Sequence, residues 1–411
     1  SFERGYSLNS LFGSVNYSYM DKYLLTATVR QDKSSRFLGD NKSDIFPSFS
    51  VGWVVSNENF FPEDSFISNL KLKASWGELG NQTLPTENPT LNIVNISESS
   101  AFYALDGTTA QSGAKLGAVG NPDLKWERSV AQNFGFNLGM FDNSLSVGFE
   151  FFNITTKDLI SPDNSLISTT AIDADPPLVN LGNVKNTGFD LGIGYNKEWD
   201  NGLRFGVNAN VSHYKNEVTE LISAFQTGYD TGRIGTVSRT TVGRPISSFF
   251  GLIIKGFDDD GRWTYEDVGG DGIGGNDEDR TYIGSPHPDF TFGLNLDAAF
   301  KGIDASVFFT GSQGNDIFNY TKYYTDFPSF FNGNRSSAVL DSWTPSNTNA
   351  TLPALSSKTE NIEAAPSTYY VEDGSFIRLK NLQIGYTLPS TITDQVFEGL
   401  TFRNYTQGTN L

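Results

Sequence analysis

Cysteine is absent and histidine nearly so, with His213 and His287 the two in 411 residues. No disulfide framework, thiol nucleophile or cysteine zinc site can be built from such a chain, and two histidines leave little for a metal or general-base centre. Long apolar runs are also missing. The longest is FFGLII at 249–254, far short of the roughly 18 residues that a membrane-spanning helix needs. Basic charge is scarce as well: 29 Lys and Arg stand against 47 Asp and Glu, a formal net charge of −18. That balance repels phosphates and argues against a nucleic-acid partner. None of these absences touches a transmembrane β-barrel, whose strands need apolar residues only at every second position.

What the sequence has is glycine and aromatics, 41 Gly, 33 Phe and 17 Tyr, laid out with a period of two. In DFTFGLNLDAAF, Phe290, Phe292, Leu294, Leu296, Ala298 and Phe300 share one face, and Thr291, Gly293, Asn295 and Asp297 the other. The pattern recurs in Phe134, Phe136, Leu138 and Met140, in Phe189, Leu191, Ile193 and Tyr195, in Phe49, Val51, Trp53 and Val55, and in Leu203, Phe205, Val207, Ala209 and Val211. Alternation alone fits a half-buried soluble strand equally well. Length favours the membrane, because the runs reach about 9 to 12 residues, enough for a tilted strand to cross a bilayer, whereas soluble strands average nearer 5 or 6.

The connections point the same way. MDK at 20–22, FDN at 141–143, WDNG at 199–202 and KGI at 301–303 read as tight turns, and long loops fill 78–127, 159–183, 218–288 and 312–375. Short turns at one rim and long loops at the other are the habit of outer-membrane barrels. Tyr17, Tyr19, Tyr23, Phe141 and Trp199 lie near the tight turns, where an interfacial belt belongs, although ordinary strand packing explains them too. Strand parity makes 218–288 leave and return at the long-loop rim, so FFGLIIKGF at 249–257 belongs to a loop or to one of a pair of extra strands. About 12 crossings are evident.

Several loop features invite chemistry. YEDVGGDGIGGNDEDR at 265–280 lacks the Lys and following helix of a phosphate loop, and it lacks the tandem copies of a calcium nonapeptide array. An EF-hand register fits better: Asp267 takes position 1, Asp271 position 5, Gly272 the turn, the Ile273 carbonyl position 7 and Glu278 position 12, with Gly269 failing to supply a ligand at position 3. A solvated acidic loop is the equal alternative. The carboxylate pairs Glu63 with Asp64 and Asp258 with Asp260 read as solvated loop acids rather than glycosidase acids. Lys71, Lys73 and Arg30 fall on the polar faces of their strands, where salt bridging is expected. Tyr320, Tyr323, Tyr324, Phe327, Phe330 and Phe331 suit sugar stacking, a protein contact or loop packing, and the sequence does not choose among them.

Seven blocks in one order resemble the SusC/RagA-like TonB-dependent transporters of the Bacteroidetes outer membrane: YSYMDKYLLTATVRQDKSSRF, FPSFSVGWVVSNENFF, LKLKASWGELGNQ, NPDLKWERSVAQNFGFNLGMFDNSLSVGFEFFNITTKDLI, GNVKNTGFDLGIGYN, GRPISSFFGLIIKGF and DGSFIRLKNLQIGYTLP. The resemblance implies an all-β, antiparallel transmembrane barrel of 22 strands, of which this chain holds about 12, with short periplasmic turns and long extracellular loops. It further implies that the plug, the TonB box and earlier strands lie upstream and that a last strand follows. The expected activity is TonB-dependent import of oligosaccharides or peptides with a SusD-like surface lipoprotein, with no enzymatic step and no required cofactor. A passive pore and a soluble glycan-binding or glycoside-processing module are the competing readings. The family's loop resembles DxNGDGxxxxxDR, which makes Asp279 rather than Glu278 the closing carboxylate and allows a structural calcium on Asp267, Asp271, Ile273 and one of those two.

Overall fold

A computed structural model of the chain describes residues 5–62, 64–96, 102–104, 107–109, 111–163, 174–327, 333–356, 365–389, 393 and 400–410. Glu63, Phe330 and Phe331 of the sequence reading lie outside the described residues. Twelve long strands form one sheet in chain order. They are β1 Leu8–Tyr19, β2 Tyr23–Ser34, β3 Ser43–Val54, β4 Ile67–Asn81, β5 Glu127–Met140, β6 Leu145–Pro162, β7 Leu178–Glu198, β8 Arg204–Leu221, β9 Phe290–Phe300, β10 Ile303–Gln313, β11 Phe376–Thr387 and β12 Arg403–Thr409. No described helix is long and apolar enough to cross a membrane.

Register turns the period of two into two chemically different faces. Tyr23 opposes Trp53, Trp53 opposes Leu72, Leu72 opposes Phe136 and Phe136 opposes Phe149, an apolar row across five strands. Side chains on this face stand in the open: Val15, which pairs with Ala27, is 66% exposed and Phe134 57%. A soluble sandwich would cover such a face with a second sheet; a lipid-facing one needs no cover. On the opposite face of the same strands, Lys73 pairs with Glu150 across Gly135, which stands between them in register. A Cβ on Gly135 would run into the Phe149 carbonyl and meet Lys73 Cε at 3.0 Å. Arg30 is likewise bonded to Asp32 at 2.8 Å, so two of the three expected cations, Lys73 and Arg30, are salt-bridged, while Lys71 has no ion pair among the described residues.

The tight turns form where the sequence places them. Phe300 opposes Ile303, leaving Lys301 and Gly302, both with positive φ (49° and 86°), as a two-residue hairpin turn. Two longer connections, 55–66 and 388–402, share that end of the sheet and were not read as turns. Val55 also departs from the expected strand: it begins a short 3₁₀ turn and is buried. At the other end the connections are 35–42, 82–126, 163–177, 222–289 and 314–375. FFGLIIKGF splits between two short loop strands, Ser248–Gly251 and Ile254–Phe257, in sheets separate from the twelve.

The chain divides into two compact units, Ser1–Ile193 with Thr219–Ser223, and Gly194–Val218 with Ala224–Leu411. The core of the first unit gathers around Trp126, which stacks on Phe37 at 4.9 Å, meets Phe46 edge-on at 5.6 Å and donates Nε1–H to the Asn41 carbonyl at 2.9 Å. Leu124 and Leu178 close it. The core of the second unit lies in its two longest loops. In each unit the buried apolar mass belongs largely to loops and strand ends, because the middle of the sheet keeps its apolar face outward.

Candidate functional site: the long-loop assembly

Within the second unit, loops 222–289 and 314–375 are laced together by backbone hydrogen bonds. Leu252 N–H donates to the Pro366 carbonyl (2.8 Å), Thr368 N–H returns to the Leu252 carbonyl (3.0 Å), and Ala354 N–H donates to the Gly261 carbonyl (2.8 Å). Side chains fill the seam. Trp263 lies 4.9 Å from Tyr369 and 5.7 Å from Phe327, and Tyr370 stacks on Phe318 at 5.4 Å. Tyr370 and Leu252 are almost wholly buried. Such aromatic pairs add about 0.5–1.5 kcal/mol each beyond the area they bury.

This packing decides the role of the loop aromatics. Tyr323 and Phe327 are core residues, and Tyr320 and Tyr324 pack against them. Burial pushes the Tyr320 hydroxyl up to about 12 and drives those of Tyr369 and Tyr370 higher still, with the bond to Asp326 adding to the effect at Tyr369. These hydroxyls stay protonated at any physiological pH, and Tyr369 donates to Asp326 at 2.5 Å. Lys322 Nζ completes the seam, donating to the Tyr369 carbonyl (2.8 Å) and pairing with Glu372 (2.8 Å).

The acidic loop 265–280 is organised by its own amides. Asp279 is fully buried, and its two oxygens accept from the backbone N–H groups of Val268 (2.9 Å), Gly269 (3.1 Å), Gly275 (2.7 Å) and Asn276 (3.0 Å). The Gly269 N–H first, and the other three with it, hold this carboxyl below the ordinary carboxylate range despite burial. Asp267 accepts from Gly270 (2.6 Å), Asp271 (3.2 Å) and Gly272 (2.8 Å). Asp271 accepts from the Ile273 N–H (2.8 Å) and from Asn276 Nδ2 (2.9 Å). Gly270, Gly272 and Gly275 supply the positive φ values, 77°, 85° and 101°, that wrap the chain around these carboxylates.

Glu278 and Asp279 were rivals for the closing position; Asp279 is the residue inside the loop, and Glu278 is exposed. Asn276 is the residue that sequence reading missed. It caps the Asp277–Asp279 turn in a reciprocal box with Asp279, and its Nδ2 also reaches the Ile273 carbonyl at 3.2 Å. The N-D-E-D spacing carries that signal as an Asn followed three residues later by an acid. Among the described residues no three His, Cys, Asp or Glu side chains converge as a metal-ligating group. Asp258 caps its own turn, accepting from the Asp260 and Arg262 N–H groups (3.0 and 2.7 Å), which is not the geometry of paired acids across a cleft.

At the tight-turn end, Glu58 gathers the rim aromatics: it accepts from the Tyr23 hydroxyl (2.7 Å), Trp53 Nε1 (3.0 Å) and Lys22 Nζ (3.1 Å). The Tyr23 bond leads these in keeping the Glu58 carboxyl below its usual range. Tyr17, Tyr19 and Phe141 are exposed at the tight-turn end of the first unit, and Trp199 is exposed at a tight turn of the second, positions that suit an interfacial belt.

Comparison with known proteins gives the same architecture. The family model described as TonB dependent receptor-like, beta-barrel matches residues 2–393. The chain is similar to TonB-dependent receptor P3 of Formosa agariphila, at 32% identity over 98% of this chain and 41% of that protein. It is similar to TonB-dependent receptor SusC of Bacteroides thetaiotaomicron at 28% identity, over 97% of this chain and 40% of that protein. A solved structure of the RagAB peptide transporter superposes with a TM-score of 0.84 at 27% identity, over 99% of this chain and 43% of that one. The chain thus spans about two fifths of the length of the relatives it matches. Alternating strands with an open apolar face, parity-consistent connections and a family match along nearly the whole length lead to one conclusion: the chain belongs to the TonB-dependent receptor β-barrel family of the outer membrane.

Proposed function

We propose that this chain is the C-terminal part of the barrel of an active importer, which takes up oligosaccharides or peptides together with a SusD-like surface lipoprotein and draws its energy from TonB through a plug and TonB box upstream. The observation that carries this reading is the long-loop assembly. Loops 222–289 and 314–375 are packed around a buried aromatic core instead of lying open, so they offer a pre-formed surface for a lipoprotein cap or a large cargo. Likeness to SusC and to the RagAB peptide transporter supports the same assignment. The test uses the full-length protein in its host. Uptake of a labelled oligosaccharide or peptide should disappear both on deletion of this gene and on loss of TonB, and the lipoprotein should co-purify. Uptake that survives loss of TonB would establish a passive pore instead.

The same geometry bears on calcium. We infer that the 265–280 loop closes on its own amide donors without a cation, since four N–H groups already occupy both oxygens of Asp279 and an ion at that closing position would have to displace them. Amide hydrogen exchange of the loop should be unchanged up to millimolar calcium. Saturable protection would instead establish the ion site.

A further inference from the structure

Loop 222–289 holds a second cluster that neither its core nor its acidic turn uses. Strands Ser238–Thr240, Ser248–Gly251 and Thr281–Gly284 lie side by side in a small sheet. Arg239 stands opposite Ser248. Its guanidinium carbon lies 3.6 Å from the centroid of Phe250 and 4.1 Å from that of Phe225, so aromatic rings cover the plane of the cation. Phe250 meets Tyr282 edge-on at 5.3 Å, and the guanidinium of Arg244 lies 3.9 Å over Tyr282. A turn fixes this second cation: Arg244 N–H closes back on the Thr241 carbonyl at 3.2 Å, with Gly243 at φ +82°. The Tyr282 hydroxyl donates to Thr241 Oγ1 in the same turn. The result is an ordered array of cation, ring, ring and cation.

What the array lacks is an anion. Among the described residues neither Arg239 nor Arg244 has a carboxylate partner, and the nearby Arg280 is shared with exposed Asp277 at 3.3 Å. Partial burial lowers the pKa of Arg239, and the charge of Arg280 pushes in the same direction. A chain with 47 acids has partners to spare, and among the described residues it nevertheless leaves these two cations without one. Stacking occupies the faces of a guanidinium and leaves its in-plane N–H donors free, the geometry that takes an oxyanion in bidentate fashion. The exposed ring of Phe225 beside Arg239 and the half-buried ring of Tyr282 beside Arg244 offer apolar surface to the skeleton that carries the anion, and buried Phe250 supports both.

We propose that Arg239 and Arg244 form a binding site for an oligomer that bears oxyanions, carboxylate or sulfate ester, with Phe225 and Tyr282 as its aromatic floor and Phe250 buried beneath them. Two cations held apart by two rings suit a chain with repeated anionic groups better than a single small ion. That the oligomer is cargo rests on the importer reading; that it binds does not.

The test uses purified full-length protein in detergent and isothermal titration with three probes: oligogalacturonate, dextran sulfate and uncharged dextran. Binding of oligogalacturonate assigns the carboxylate, and binding of dextran sulfate assigns the sulfate ester. Dextran should not bind. Arg239→Gln and Arg244→Gln should each weaken binding at least tenfold, as loss of a charge-assisted pair implies. Arg244→Gln lies on an exposed turn and keeps the result interpretable if Arg239→Gln disturbs packing. Equal binding of dextran, no binding of either anionic probe, or wild-type affinity in Arg244→Gln would overturn the proposal. So would unchanged oligomer binding in variants that lose the co-purifying lipoprotein, because the arginines would then serve a protein contact. TonB-dependent uptake of a neutral cargo would leave the importer reading intact whichever way this binding test falls.

Discussion

Phe134 and Phe141 are equally exposed, 57% each, yet they sit at different depths. Phe141 is in the tight turn after β5, and Phe134 lies seven positions back along that strand. A strand residue advances about 3.4 Å, or roughly 2.4 Å along the membrane normal at a tilt near 45°. Phe134 is therefore about 17 Å above the turn, within about 5 Å of the middle of an apolar band roughly 25 Å tall. Its register neighbours Ala74 and Phe151 offer no counter-charge. Arginine at that depth costs about 2–4 kcal/mol, and near the interface about 0–1 kcal/mol. Phe134→Arg should thus lower the folded-to-unfolded ratio by roughly 30- to 900-fold, and Phe141→Arg by less than about sixfold. Guanidinium unfolding of the full-length protein from lipid vesicles, followed by tryptophan fluorescence, reads both values. Equal costs for the two substitutions, or a cost below about 0.5 kcal/mol for Phe134→Arg, would refute the membrane assignment of this face, since exposure alone predicts no difference between them.

Other expectations concern the polar face and the loops. Gly135→Ala forces a methyl against the Phe149 carbonyl and should destabilise the sheet by about 1–3 kcal/mol, whereas Gly148→Ala, whose nearest neighbour would be Asn137 Oδ1 at 3.7 Å, should be close to neutral in the same unfolding assay. Trp263→Ala removes the ring that packs on both Phe327 and Tyr369 and should cost the loop core about 3–5 kcal/mol, seen as faster amide exchange in both long loops with β1 to β5 unchanged. Asp279 has a depressed pKa in the folded loop, so its contribution is present above the unfolded value near 3.9 and is lost as pH falls through the lower folded value. Limited proteolysis should accordingly open the 265–280 loop in strong acid. Asp279→Asn should loosen it at neutral pH and abolish that acid step.

The sheet was legible because its faces are read by solvent type: each strand repeats the same choice between lipid and lumen every two residues, and no distant partner is needed to know it. The count of about 12 strands and the side taken by 218–288 followed from that and from parity. Connections 55–66 and 388–402 escaped notice because they are too long for a turn signature and too short to read as surface loops. The loop core was opaque for a different reason. FFGLII has the composition of a core strand, but its backbone partner is Pro366, more than a hundred residues away in sequence, and no local period announces such a pairing. In the acidic loop, composition picked out the carboxylates and left Glu278 and Asp279 as rivals for the closing position. Whether Glu278 or Asp279 turns inward depends on the cap made by Asn276, a matter of one residue in a backbone turn.

Strand β6 has 18 residues, while a tilted strand needs only about 9–11 to cross the hydrocarbon. The surplus of roughly eight residues, leaving from the end opposite the Phe141 turn, stands about 20 Å clear of the lipid tails. It acts as a pedestal that lifts its end of the barrel past the phosphates and first sugars of the outer leaflet. In intact cells, reagents too large to enter that sugar layer, such as an antibody or a bead-bound protease, should reach the far end of β6 at the exposed Pro162 while the 35–42 connection, which follows a strand of 12 residues, stays screened at the level of the headgroups.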